Sequence, residues 1–498
     1  MSLRGGLCPT WQSVLLKGLL SQGILTYFAN GRTNVPMYAC ADRLLVFGAF
    51  LISVTIKTTK RRATMKIKIA AVGLAHPFEI GYDQAPALLN QTAQQMAAIG
   101  VDCYNTGVVM HDLKTVQDAV KALKNADADV LLICVASWSE DHHLLDLLGY
   151  VDKPVILRAY PARDTGSLCC VHQIGAVFTN IGKNYEFVFG KPEDPACAQK
   201  VKDIAVPYAL ASAMQNLRVG ALGGRVKGMT EIAYDEFAIK QYLGARIVNL
   251  DETEMTSKVA AMTDGEADKL LDENKDILRP CKVTSTKDGL RESIKYYAAM
   301  KALCDEYELE ALAVKCYTTY MGKVCLGYSL LAEQGITGAC EGDVPNAITM
   351  KMLYELSGKP VNNTDLLDFN YDDNSILFAH CGSSGFSIAE GEIELAPVRL
   401  AETGVCCKFL MKPGKVTAVD ICGNGDNFRM SVMVGDAIPC GMEFPGNPMT
   451  VKFEKPLDQI NEEIMQYGCG HHWMIAYGDH SDALRRFCKI KGMNYYEI

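Results

Sequence analysis

From residue 65 onward the chain repeats one unit: a short apolar run, a turn, and a stretch of apolar residues at helical spacing. Apolar runs at 67–72, 101–109 and 130–135 alternate with helical patterns at 85–99 and 116–124, and the run at 155–160 continues the series until Pro161. Strands separated by helices pair in parallel through crossover connections, so this rhythm predicts a parallel sheet covered by helices. A second unit opens after Pro192-Glu-Asp-Pro195, with a helix over 197–215, strands over 217–222, 247–250 and 311–317, and a helix over 289–307. Past residue 360 the pattern changes to short strands and frequent turns, at 376–380, 391–397, 404–411, 414–421 and 449–453. The predicted fold is therefore α/β: two Rossmann-like α/β domains, 65–175 and 176–358, followed by a β-rich C-terminal domain, 359–498.

A chain of 498 residues exceeds what a single core usually organises, which agrees with this division. A net charge of −9 argues against a nucleic-acid surface, which needs clustered lysine and arginine, and favours small-molecule chemistry. Residues 1–64 differ from the rest: eight basic residues face one acid, Asp42. The apolar run 44–56 falls short of the ~20 residues that span a bilayer, and Lys57-Thr-Thr-Lys-Arg-Arg follows it where a signal peptide would carry a small-residue cleavage site. We expect 1–64 to be a non-native or disordered extension, the protein proper to start at Met65, and no membrane partner. The 19 cysteines show no CxxC spacing and several sit in apolar runs, as reduced thiols of a cytoplasmic protein do.

The residues that carry chemistry lie in Cys340-Glu341-Gly342-Asp343-Val344-Pro345, at Asp368 and His380, and in the pair His471-His472. Carboxylate and imidazole ligands without paired cysteines suit a hard divalent ion. Glu341 precedes a helix predicted over 345–357, where a capping acid is the ordinary reading, but Asp343 could serve as the cap and leave Glu341 for another task. Asp368 precedes the strand ending at His380, and Asp365 is its rival in the same run. His471 and His472, between glycines and an apolar strand, are expected to point to opposite faces, one toward metal and the other toward substrate. Gly223-Gly224-Arg225-Val226-Lys227-Gly228 could cradle an anion, but it matches neither GxGxxG nor the P-loop, and a tight turn is the favoured reading.

At Ala339-Cys340-Glu341-Gly342-Asp343, at the block from Asp368 to His380-Cys381-Gly382, and at Gly470-His471-His472 with Ala476-Tyr477-Gly478-Asp479, the sequence resembles the L-fucose/L-arabinose isomerase family. The resemblance runs from Met65 to the C-terminus and marks a divergent member. It implies interconversion of an aldose and a ketose through a cis-enediol. It implies Mn²⁺, with Mg²⁺ or Co²⁺ as substitutes, held by Glu341, Asp368 and His472, with Glu341 and Asp368 as the acid/base pair. His380 resembles a fourth ligand of the arabinose-type branch, although it stands closer to Asp368 than that branch's pattern has it. With His471, Trp138, Arg158 and Lys315 it forms the expected substrate contacts, and Arg163 is a further candidate for an anionic substituent. The substrate implied is a monosaccharide such as fucose or arabinose, or an acid-bearing sugar such as sulfoquinovose. A homo-oligomer, hexameric or trimer-based, is implied too, with a neighbouring subunit's first domain capping the site. The competing readings are a non-catalytic sugar-binding protein and a metal-dependent aldolase or hydrolase.

Overall fold

The computed structural model describes residues 64–498 except Arg279, so the predicted extension lies, apart from Thr64, outside the described residues. The first sheet contains β1 (Lys68–Leu74), β2 (Asp102–Met110), β3 (Val130–Val135), β4 (Val155–Ala159) and β5 (Tyr185–Phe189), all parallel, in the order β2-β1-β3-β4-β5. Ala70, Val72 and Leu74 face one apolar cluster, and Ile69 and Ala71 face another, so β1 is buried on both sides. This explains the unbroken apolar runs that the sequence shows there. The sheet extends past the predicted boundary at 175, because the helix Ser167–Asn180 leads into β5, which pairs with β4. Gly166, at φ 67°, starts that helix directly after the break read at Pro161.

The second sheet is also parallel. Its strands are β6 (Arg218–Leu222), β7 (Arg246–Leu250) and, after the short β8 (Lys282–Val283) of another sheet, β9 (Ala311–Val314) and β10 (Thr337–Ala339), in the order β10-β9-β6-β7. The β-rich part contains β11 (Asn362–Asn370), β12 (Ser375–Ala379), β13 (Ala389–Ala396), β14 (Cys406–Met411), β15 (Gly414–Cys422), β16 (Arg429–Ile438), β17 (Met449–Lys452), β18 (His472–Tyr477) and β19 (Asn494–Glu497). Six of these pair antiparallel in the order β15-β18-β11-β12-β17-β16, and β16 pairs back to β15, so they close into a barrel. β13 and β14 form a small sheet with β8, and β19 lies parallel beside β16.

The helix Val344–Ser357 joins the second sheet to the barrel. Asp343 caps it by accepting from Asn346 N at 3.0 Å, Pro345 sits in its first turn, and Gly358, at φ 65°, ends it. Every residue from Val344 to Glu355 is buried, as expected of a helix covered on all sides. Its apolar residues share one cluster with Val219, Ala311 and Ala339 of the sheet and with Val419, Met474 and Ala476 of the barrel. Lys351 inside it is paired with Glu355 at 2.7 Å and Glu310 at 3.1 Å, which compensates the buried charge. Among the described residues no helix is long and apolar enough to cross a membrane.

Trp473 on β18 is fully buried, and its carbonyl accepts from Thr364 Oγ1 at 2.6 Å. Trp473→Ala is expected to cost about 3–5 kcal/mol, seen as a lower urea midpoint in the barrel's unfolding; an unchanged midpoint would contradict this packing.

Candidate metal centre

Four segments converge at the carboxyl edge of the second sheet, where open α/β sheets bind ligands. β10 leads directly into Cys340-Glu341-Gly342, and from the barrel come β18, beginning at His472, β11, carrying Asp365, and the end of β12, followed by His380. The antiparallel register pairs Asp365 with His472 on one side and with Ala379, the neighbour of His380, on the other. These side chains are therefore set side by side on rigid strands.

Glu341 has φ 64° and ψ 9°, a left-handed conformation costly for a residue with a side chain. Its backbone N–H donates to Cys316 Sγ at 3.3 Å. Gly342 follows at φ 77°, and a Cβ there would stand 2.2 Å from Gly224 O, so only glycine fits. The turn directs Glu341 Oε2 to 3.1 Å from His472 Nε2 and 3.7 Å from His471 Nε2. His472 Nε2 also lies 3.6 Å from Asp365 Oδ1, and His380 Nε2 lies 3.8 Å from the same oxygen. Glu341, His380 and His472 form one set of potential ligands whose atoms lie within 4.8 Å of one another, and Asp365, His471 and His472 form another.

Asp343 has two roles. Besides capping the central helix, its Oδ2 accepts from His472 Nδ1 at 2.8 Å. A neutral imidazole that donates from Nδ1 presents its Nε2 lone pair to the cluster, the usual arrangement of a metal-bound histidine. Glu341 Oε2, Asp365 Oδ1, His380 Nδ1 and His472 Nε2 are all buried without a hydrogen-bond partner. Buried polar atoms are rarely left unsatisfied, and the 3.1 Å between Glu341 Oε2 and His472 Nε2 is close to the roughly 3 Å between neighbouring ligands of an octahedral cation bonded at about 2.1 Å. The residues present thus fit a hard divalent ion.

Charge in the cluster is finely balanced. Burial pushes the Glu341 carboxyl upward, but the close imidazoles of His471 and His472 and the field of His380 more than reverse this and hold it well below the usual range. Burial disfavours charge on His472, yet Asp343 and Glu341 raise its pKa well above the ordinary value. Burial is likewise outweighed at His380, where Asp365 is the largest opposing influence and the pKa rises to about 10. A bound cation would take the place of these protons.

The structure departs from the sequence reading at several residues. Asp368 is exposed, and its Oδ1 accepts from Phe369 N at 2.9 Å. The register shifts between Leu366 and Asp368, and it is Asp365 that stands beside His472 and His380. His471 and His472 do not point to opposite faces: their rings are 4.0 Å apart and both approach Glu341, because His471 precedes the strand. His471 Nδ1 also meets Glu231 Oε1 at 3.0 Å, a contact that sequence reasoning missed. Arg158 lies in β4 with no exposed surface, 5.4 Å over the Tyr160 ring and within 3.4 Å of Gln95 Oε1 and Lys191 O. It belongs to the interior of the first sheet rather than to the cluster. Trp138 is half-buried at the carboxyl edge of that sheet, where its Nε1 donates to Gln173 Oε1 at 2.9 Å. Lys315 follows β9 and is paired with Glu252 at 2.7 Å.

Residues 364–494, which include Asp365, His380, His471 and His472, match the family model described as the L-arabinose isomerase C-terminal domain. The chain is 22% identical over 395 residues to the sulfoquinovose isomerase of Priestia aryabhattai, an alignment covering 76% of this chain and 87% of that protein. It is 22% identical over 346 residues to L-arabinose isomerase 2 of Bacillus licheniformis, covering 66% and 72%.

Calorimetric titration with Mn²⁺ is expected to show one site, weakened at least 100-fold in Asp365→Asn and His472→Ala and about 10–100-fold in Asp343→Asn. Asp368→Asn is expected to bind as the parent does. Because His472 must lose its proton to coordinate, affinity is expected to rise with pH; weakening by Asp368→Asn rather than Asp365→Asn would reverse the assignment.

Proposed function

We propose that the chain, as a divergent member of the L-fucose/L-arabinose isomerase family, is a metal-dependent aldose–ketose isomerase acting on an open-chain monosaccharide through a cis-enediol. The observation that carries the metal dependence is the convergence of buried, unpartnered ligand atoms from Glu341, Asp365 and His472 at one point. Mn²⁺, or Mg²⁺ or Co²⁺, would supply a Lewis acid that polarises the carbonyl and the neighbouring hydroxyl of the sugar.

The chain's own groups account for the proton movements. Isomerisation removes the proton from C2 and returns one to C1, while a hydroxyl proton passes between O1 and O2. Glu341 is kept ionised by the histidines around it, and with Asp365 beside the same imidazole it makes the acid/base pair. Asp343 holds His472 in one tautomer and orientation. His380 and His471 border the same space and contact the sugar hydroxyls.

An acid-bearing sugar of the sulfoquinovose kind is the favoured substrate. The match to a protein named sulfoquinovose isomerase covers more of that relative's length than the match to one named L-arabinose isomerase does. We further propose a cytoplasmic homo-oligomer, trimer-based or hexameric. Phe78 and Ile80, 95% and 58% exposed beyond β1, support a surface that another copy would cover.

A panel of neutral, deoxy and sulfonated aldoses incubated in D₂O with Mn²⁺ and followed by NMR tests the reading. A ketose product carrying solvent deuterium, abolished by chelation and reduced at least 10³-fold in Glu341→Gln, is expected. Turnover insensitive to chelation, or smaller carbonyl fragments in place of an isomer, would contradict it.

A further inference from the structure

The glycine-rich turn after β6 takes no part in the ligand cluster, yet its backbone lies against it. The Cβ position of Gly342 is 2.2 Å from Gly224 O and 3.5 Å from Arg225 Cα, so this turn touches the residue next to Glu341. The same segment reaches the cluster again through Glu231, which meets His471. Between these contacts Val226 is buried, while Arg225 and Lys227 on either side of it are exposed.

The cations of this turn and Lys315 differ in what they are already bound to. Lys315 is neutralised by Glu252. Arg225 donates from Nη1 to Met229 O at 2.7 Å, which holds the guanidinium over its own loop, and no ion pair among the described residues engages it. Lys227 has neither an ion pair nor a side-chain hydrogen bond among the described residues. The centre behind them is rich in acid, with Glu341, Asp365, Asp343 and Glu231 together. A substrate bearing a fixed negative charge would be repelled there unless cations met its charged end away from the reacting carbons.

Resting on the isomerase reading above, we propose that Arg225 and Lys227 form the recognition site for a tetrahedral oxyanion, a sulfonate or a phosphate ester, on the terminal carbon of the sugar. Its carbonyl end meets Glu341, Asp365 and His472. The planar fork of Arg225 supplies paired donors to two oxyanion oxygens, and Lys227 supplies a mobile point charge. This assigns the anionic end to the turn after β6 rather than to Arg158 or Arg163 of the N-terminal half.

The test measures kcat/KM of the Mn²⁺-loaded full chain for a 6-deoxy-6-sulfo-aldohexose, the 6-phosphorylated aldohexose and the neutral 6-deoxy sugar. Arg225→Gln and Lys227→Gln are each expected to lower the ratio of anionic to neutral kcat/KM by about 10-fold or more, mainly through KM, and Arg225→Lys to restore part of it. Comparison of the sulfonated and phosphorylated arms identifies which oxyanion the site prefers. Equal losses on charged and neutral sugars, or no loss, would overturn the proposal while leaving the isomerase reading intact. If the parent isomerises no sugar, that reading falls, and calorimetric binding of the sulfonated sugar to the parent and to Arg225→Gln still decides: equal affinity overturns the proposal, and weakening confined to the variant upholds it.

Discussion

The carboxylate of Asp343 ties the structure together. One oxygen closes the first turn of the buried helix Val344–Ser357, and the other fixes the imidazole of His472 at the start of β18. The helix packs on the second sheet and on the barrel at once, so this one side chain sets the position of the barrel's histidine relative to the sheet's Glu341. The charged hydrogen bond is buried, where it is stronger than in water and where removing one partner leaves the other stranded.

Around that anchor the chain stores local cost where the ligands are. Glu341 is held left-handed, Gly342 is squeezed against Gly224, and facing atoms of Glu341, Asp365 and His472 lie buried without partners. Each feature is unfavourable alone, and together they fit the proposed cation site. Antiparallel register places Asp365 beside His472 and beside Ala379, the neighbour of His380, which gives the precision that loops alone would lack.

Much of this was legible in the sequence because the signals are local. Apolar runs bounded by helical periodicity located β1, β3, β4 and β6 to within a residue or two. Asp343 read correctly as the cap that frees Glu341, since capping depends on residues three apart. The choice between Asp365 and Asp368 was not local. It depends on how β11 pairs with β18, more than a hundred residues away, and on a register shift that the residues of β11 do not announce. The shared direction of His471 and His472 was hidden likewise, because alternation holds only inside a strand and β18 begins at the second of them. Arg158 looked like a ligand-binding cation because an arginine inside an apolar run does not announce that its partners, Gln95 and Lys191 O, lie in the interior.

The most direct test of this account is anomalous diffraction from crystals grown with Mn²⁺, recorded on both sides of the manganese absorption edge. The account predicts one strong peak bonded to Glu341, Asp365 and His472, at ligand distances of about 2.1 Å, with Asp343 still bonded to the far side of the imidazole. A peak elsewhere in the chain, or density at Asp368 with the cluster closed by hydrogen bonds, would contradict it.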